Sequence, residues 1–222
     1  MRKHAKYAVI TADIIGSSQL SKEEKQILSV ALKDIFTYFA EQGTEWGIKQ
    51  SFEVFRGDSF QALCSDPKKA LHIALIIRSF LRKHKINEEP IEQKATLFDA
   101  RFALGLGNID TLGNTVGQSN GEAFHISGKL IDNMKLANYS FQIGSSNEKI
   151  NNEFLVHSFV LSQYFEKLTA LQAEVIYYKL LGLKEIEIAT KTQISQSAVN
   201  QRSKAGGWDV IELILKRYVE VI

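Results

Sequence analysis

Residues 7–18 read Tyr7-Ala8-Val9-Ile10-Thr11-Ala12-Asp13-Ile14-Ile15-Gly16-Ser17-Ser18, and the fold is decided here. Residues 7–12 are a short β-type run ending at Asp13, and Gly16, Ser17 and Ser18 supply turn chemistry before a helix. Ser21 with Glu24 three residues later is a capping box. Ile27, Leu28, Leu32, Ile35, Phe36 and Phe39 recur at helical spacing, so this helix should bury one face and stop near Gly43. Residues 52–55 and 60–64 flank Arg56-Gly57-Asp58-Ser59, the pattern of a β-hairpin turning at Gly57-Asp58. Asp66-Pro67 opens a second helix with Ala70, Ile73, Ala74, Ile77 and Leu81 on its buried face and Lys83, His84 and Lys85 at its end. A polar loop at 87–93, a strand at 101–107, a loop at 113–120, a helix from about 121 to 138 and a short strand at 141–143 follow. The order β-α-β-β-α-β predicts an α+β, ferredoxin-like domain.

From Asn151 the strand signals stop and the pattern is helical to Ile222. Residues 1–148 are therefore expected to form the α/β domain, 149–166 a linker helix and 167–222 an all-α helix-turn-helix domain. Leu171, Val175, Ile176 and Leu180 mark the buried face of its first helix. Ile186, Ile188 and Ala189 mark that of the second, and after a turn at Gln193 and Ile194 a third helix is capped by Ser195 or Ser197. This segment resembles the helix-turn-helix of sigma-factor region 4 and of many bacterial repressors. With Ala198 and Val199 inward, Gln196, Ser197, Asn200, Gln201 and Lys204 are left for a DNA groove. Amides read adenine edges, while Lys191, Arg202 and Lys204 reach phosphates. No acidic residue lies between Ala189 and Gly207. A partner-docking module whose polar helix is merely solvated is the competing reading. A final helix carries Trp208, Val210, Ile211, Leu213, Ile214 and Leu215, to pack on this unit or on a second subunit.

The chain has 222 residues, 45% hydrophobic and 23% charged, enough to bury a real core. Its net charge of +2 is too small for DNA binding by bulk electrostatics, so any such contact must be local. The basic first residues lead into a short apolar run broken by Asp13, which predicts neither signal peptide nor membrane anchor and a cytoplasmic protein. A lone cysteine, Cys64, excludes an internal disulfide and sits in an apolar run, as a buried inert thiol would.

Asp13 and Asp58 carry the chemistry, because pairing of the hairpin beside the first strand would bring the two carboxylates together. Carboxylates completed by water and phosphate suit Mg²⁺, and the Gly16-Ser17-Ser18 loop can offer N–H groups to a phosphate. Ordinary turn roles suit both acids equally well.

Residues 12–18 resemble the metal loop of class III nucleotidyl cyclases, and Arg56-Gly57-Asp58-Ser59-Phe60 resembles their second metal hairpin. Residues 101–107 and 121–130 are similar to their next strand and catalytic helix, so the resemblance spans residues 7 to about 140. Cyclase-like domain plus helix-turn-helix resembles the SatD family. The resemblance implies that Asp13, Asp58 and the carbonyl of Ile14 hold Mg²⁺ or Mn²⁺, with Gly16, Ser17, Ser18 and Gly57 at the phosphates. His125 stands where cyclases carry asparagine and Lys129 where they carry arginine, an exchange that loses the bidentate fork. The spacing alone makes His125 a partly buried helix histidine, with Lys129 on the same face. Val54 and Gln118 replace the base-selecting residues.

These readings together predict a DNA-binding transcriptional regulator with a divergent cyclase-like domain for a metal-nucleotide or related ligand, acting on duplex DNA as a homodimer. An active metal-dependent nucleotide-converting enzyme with an accessory helix-turn-helix, and a non-catalytic protein-interaction scaffold, are the alternatives.

Overall fold

The computed structural model describes residues 7–55, 57–86, 97–137 and 139–222. The polar loop expected at 87–93, Arg56 of the hairpin turn and Asn138 at the expected helix end lie outside the described residues. The chain forms a mixed α+β structure. In order come β1 (Tyr7–Ile14), α1 (Lys22–Glu41), a short α2 (Gly43–Trp46), β2 (Ile48–Phe55), β3 (Ser59–Cys64), α3 (Ala70–Arg82) and β4 (Ala100–Gly107). Then follow α4 (Glu122–Ala137), β5 (Phe141–Ser145), α5 (Glu148–Lys167), α6 (Ala170–Leu180), α7 (Glu185–Thr192), α8 (Gln196–Ala205) and α9 (Trp208–Val221).

The sheet runs β2-β3-β1-β4-β5; β1 is antiparallel to both its neighbours, and β5 is parallel to β4. Because side chains alternate along a strand, β1 sends Ala8, Ile10, Ala12 and Ile14 into the core shared with α1 and α3. Val9 packs instead against Leu63 and Ala123 of α4. The two faces of β1 thus meet different helices. A Cβ on Gly105 would lie 2.1 Å from the carbonyl oxygen of Ala123, so only glycine lets α4 settle on β4.

Local signals work as the sequence suggests in several places. Ser21 and Glu24 form the capping box of α1, at 3.2 and 2.7 Å. Asp66 accepts from the N–H of Lys68 ahead of α3, and Cys64 is buried, its thiol pushed up to about 12 by desolvation and by Asp66. Three apolar residues assigned to buried faces are instead exposed: Ile27 on α1, Leu171 on α6 and Ile186 on α7. Each sits at the margin of its stripe, where period alone does not say how much of a helix its neighbours cover.

The larger departure concerns α3. Every residue from Ala70 to Arg82 except His72 is buried, so the helix has no solvent face at all. Its outer side is covered by the C-terminal helices. Phe154, Leu161 and Phe165 of α5, Ala173, Ile176 and Leu180 of α6, and Ile211, Ile214 and Tyr218 of α9 belong to the same core as β1 and α1. His72 meets the carbonyl of Leu180 at 2.7 Å, and the Tyr218 hydroxyl donates to the carbonyl of Pro67 at 2.8 Å. Residues 149–166 are indeed helical, but they pack along β5 and α9 and do not span open solvent. A fully buried Leu or Ile contributes about 1.5–3 kcal/mol, so the C-terminal helices cannot leave α3 cheaply.

A buried ionic joint fastens this seam. Arg78 donates twice to Asp99, at 2.9 and 3.0 Å, and once to Ser140; Arg82 donates to Asp99 at 2.7 Å and to the carbonyl of Leu168 at 2.8 Å. The Arg78 guanidinium also lies 4.9 Å from the centre of the Phe165 ring. Asp99 therefore ties α3, the entry to β4 and the end of α5 at one point. Its own carbonyl accepts from Ile15, at 2.9 Å, which anchors the loop after β1.

Candidate functional site

The loop after β1 and the hairpin turn meet. Ile14 donates to the carbonyl of Asp58 at 2.8 Å, and the Ser17 hydroxyl donates to its carboxylate at 2.9 Å. Gly16 and Gly57 make the two turns possible with φ of 72° and 80°, a region costly for other residues. Ser17, Ser18, Gly57 and Asp58 then line one groove of about 830 Å³ between α1 and the β2–β3 hairpin. Its wall carries Phe36 stacked on Phe52, with centroids 4.6 Å apart, and its rim carries Lys25 and Lys33, two turns apart on α1. In the sequence Phe36 and Phe52 stand in apolar runs, and none of these four residues is assigned to the site. Their signal was there: two lysines eight apart flank the apolar stripe of α1.

Asp13 does not join that groove. It shares the face of Thr11, whose hydroxyl donates to Ser127 of α4 at 2.9 Å, and it is not among the residues that line the groove with Asp58. The Asp13 carboxylate instead lies 3.6 Å from Arg101 and 3.6 Å from Lys135. Pairing brings the backbones at Ile14 and Asp58 together, but the two carboxylates have different partners, Ser17 for Asp58 and Arg101 with Lys135 for Asp13. Asp13, Asp58 and the carbonyl of Ile14 are the hard oxygen donors Mg²⁺ or Mn²⁺ prefers, but Asp13 is already paired with protein cations. Arg101 and Lys135 offset the charge of Asp13, and no group of three or more acidic, histidine or cysteine side chains that could hold a metal ion occurs among the described residues.

His125 and Lys129 are both exposed on α4, so His125 is not the half-buried residue its spacing suggested. Neither lines the α1 groove, and Lys129 borders a separate one between α4, β5 and α5. The α4 cation beside Asp13 is Lys135.

In the C-terminal part, Val175 of α6, Ile188 and Ala189 of α7 and Val199 of α8 form a small core of their own. Gln193, at φ 56°, makes the left-handed turn between α7 and α8, and Ser195 accepts from the N–H of Ala198 at 3.2 Å as the cap of α8. Lys191, Gln196, Ser197, Gln201 and Lys204 are exposed; Asn200 and Arg202 are half-buried. Asn200 donates to Glu185 at 3.3 Å, and Lys179 lies 3.4 Å from the same carboxylate. The hydrogen bond from Asn200, followed by the charge of Lys179 and a bond from Gln196, holds Glu185 below the usual carboxylate range against its desolvation. Asn200 is thus engaged within the bundle and the Ser197 hydroxyl lies 2.9 Å from that of Ser195, while Gln201 and Lys204 are exposed. Lys191 lies 5.7 Å from the centre of the Tyr178 ring. No described helix is long and apolar enough to cross a membrane.

No protein-family model and no curated protein matches the chain. Among solved structures it is similar to a bacterial light-regulated adenylyl cyclase, at 16% identity over 64% of this chain and 76% of that one, TM-score 0.41. A second structure of a bacterial light-regulated adenylyl cyclase matches at 14% identity over 64% and 42% of the two chains, TM-score 0.40. The guanylyl cyclase Cya2 matches at 17% identity over 57% and 69%, TM-score 0.35.

Proposed function

We propose that the chain is a DNA-binding transcriptional regulator whose α/β part binds a nucleotide-like organic anion in the α1 groove. The observation that carries the ligand half is the convergence of Ser17, Ser18, Gly57 and Asp58 with Lys25, Lys33, Phe36 and Phe52 in one concavity. Hydroxyls and cations suit phosphates, a stacked aromatic wall suits a planar base, and the volume lies in the usual range for small-molecule sites. The β2-β3-β1-β4 order with α1 and α3 on one face supports a ferredoxin-like, cyclase-like core with β5 added. Because Asp13 is held by Arg101 and Lys135, the reading is one of binding rather than metal-assisted conversion. No metal-dependent step is assigned to Asp13, Ile14 or Asp58.

The DNA half rests on α6, α7 and α8. A left-handed turn at Gln193, a capped α8 seated by Val199 and an exposed row of Gln196, Ser197, Gln201 and Lys204 suit a recognition helix. Residues 167–222 would be the DNA-binding part, 149–166 the connecting helix and 1–148 the ligand-binding part. One such module covers one half-site, so a cytoplasmic homodimer on duplex DNA completes the proposal.

Isothermal titration with ATP and GTP, with and without Mg²⁺ or Mn²⁺, tests the ligand half when the recovered nucleotide is also analysed. Binding without conversion, weakened about tenfold or more in Lys25→Gln/Lys33→Gln, is the expected result. Metal-dependent product would establish the enzyme reading instead, and absence of binding would remove the ligand half.

A further inference from the structure

We propose that the groove between α4, β5 and α5 is a second ligand site, built for a small amphipathic organic anion and separate from the α1 groove. It encloses about 360 Å³, a size typical of small-molecule pockets. Ile126 and Leu130 of α4, Leu155 of α5 and the ring of Tyr139 give it apolar walls. Leu155 is 60% exposed, so its side chain is open to a ligand in the groove.

Two polar groups give the groove a direction. Ser158 lines it and is only 4% exposed, yet its hydroxyl has no hydrogen-bond partner among the described residues. Neighbouring Ser162, by contrast, spends its hydroxyl on the carbonyl of Ser158 at 2.9 Å. Buried hydroxyls are normally satisfied, and leaving one unmade is costly. A ligand oxygen would supply the missing partner. At the mouth stands Lys129, exposed, with no ion pair among the described residues and no Asp or Glu in the lining. A cation at the mouth, an apolar body and a buried donor select an aryl or short alkyl carboxylate with a polar group at its far end. Lys129 thereby has a use that does not involve Asp13 or Asp58. The site sits on α5, which runs directly into α6.

Methyl-detected NMR of the full chain, titrated with para-hydroxyphenylpropionate and with phenylpropionate, tests this. The expected result is saturable shifts of the Ile126, Leu130 and Leu155 methyls, with the hydroxylated acid bound about fivefold tighter, as one neutral hydrogen bond allows. Ser158→Ala should erase that preference and leave the unliganded protein as stable as before or more so, because the hydroxyl it removes has no partner. Lys129→Gln should weaken both acids about fivefold. Unmoved methyls at millimolar acid, a hydroxyl preference that survives Ser158→Ala, or a lowered melting temperature for that variant would each overturn the proposal.

Discussion

Replacing Asp99 with alanine tests whether the two halves of the chain share one stability. Asp99 is nearly fully buried and accepts three hydrogen bonds from Arg78 and Arg82, so its removal strands two guanidinium groups inside the protein. Breaking a buried pair on one side costs about 3–5 kcal/mol. With a urea dependence of about 2 kcal/mol per molar, the unfolding midpoint should fall by about 2 M. Trp46 beside α1 and Trp208 at the start of α9 report the two ends of the core, and their fluorescence transitions should stay coincident. The pH dependence has a definite sign. Burial pushes the Asp99 carboxyl up, but the charge and hydrogen bond of Arg78, then Arg82 and the N–H of Ala100, outweigh it and hold the group below its ordinary value. A depressed carboxylate stabilises above its unfolded value of about 3.9 and loses that stabilisation as pH falls through the folded value. Wild type should therefore weaken below about pH 4, with a shallower acid slope in Asp99→Ala. A midpoint shift under about 0.5 M would refute the reasoning, since the joint would then carry less than one exposed contact does.

Three further outcomes follow from single contacts. Gly207→Ala would put a Cβ 2.2 Å from the Tyr164 ring at φ 74°, so α9 should dock poorly and thermal unfolding should start lower, by several degrees. Ser195→Ala removes the cap of α8 and should cost about 1 kcal/mol in urea unfolding while leaving the 7–145 part unaltered by NMR. Glu185→Ala frees Asn200 and Lys179, and should change which duplexes are preferred more than it changes overall affinity in a binding-site selection.

Much of the fold could be read from local chemistry. Capping at Ser21 and Asp66, the Gly57-Asp58 turn and the strand at 101–107 all depend on neighbours a few residues away, so short patterns reveal them. The role of α3 depends on remote packing, although Ala70-Leu71-His72-Ile73-Ala74-Leu75-Ile76-Ile77 offered a clue: a helix apolar all round must be covered on both sides. One stripe of α3 alone leaves Arg78 and Arg82 unassigned and gives no sign that the linker helix at 149–166 packs on β5 and α9.

The site was legible to a similar depth. Ser17, Ser18, Gly57 and Asp58 line one groove because the backbone pairing at Ile14 and Asp58 brings their two loops together. Asp13 departs for a reason the sequence already contained, since its position in β1 matches Thr11 and not Ile14. Lys25, Lys33, Phe36 and Phe52 were missed because a groove between helix and hairpin depends on how far α1 stands from β2. In α8 the order of polar residues was visible, but the diversion of Asn200 to Glu185 needed the relative placement of α7.

Sequence-specific DNA binding can be read by selecting duplexes from a random pool with the full chain and with Gln201→Ala/Lys204→Ala, then measuring affinity for the enriched sequence against salt. Wild type should enrich one motif and bind it with affinity falling steeply with salt, whereas the variant should lose the enrichment and show a salt slope lower by about 1. A wild-type chain that enriches no sequence, or a variant that enriches the same motif with the same slope, would contradict sequence-specific recognition by α8.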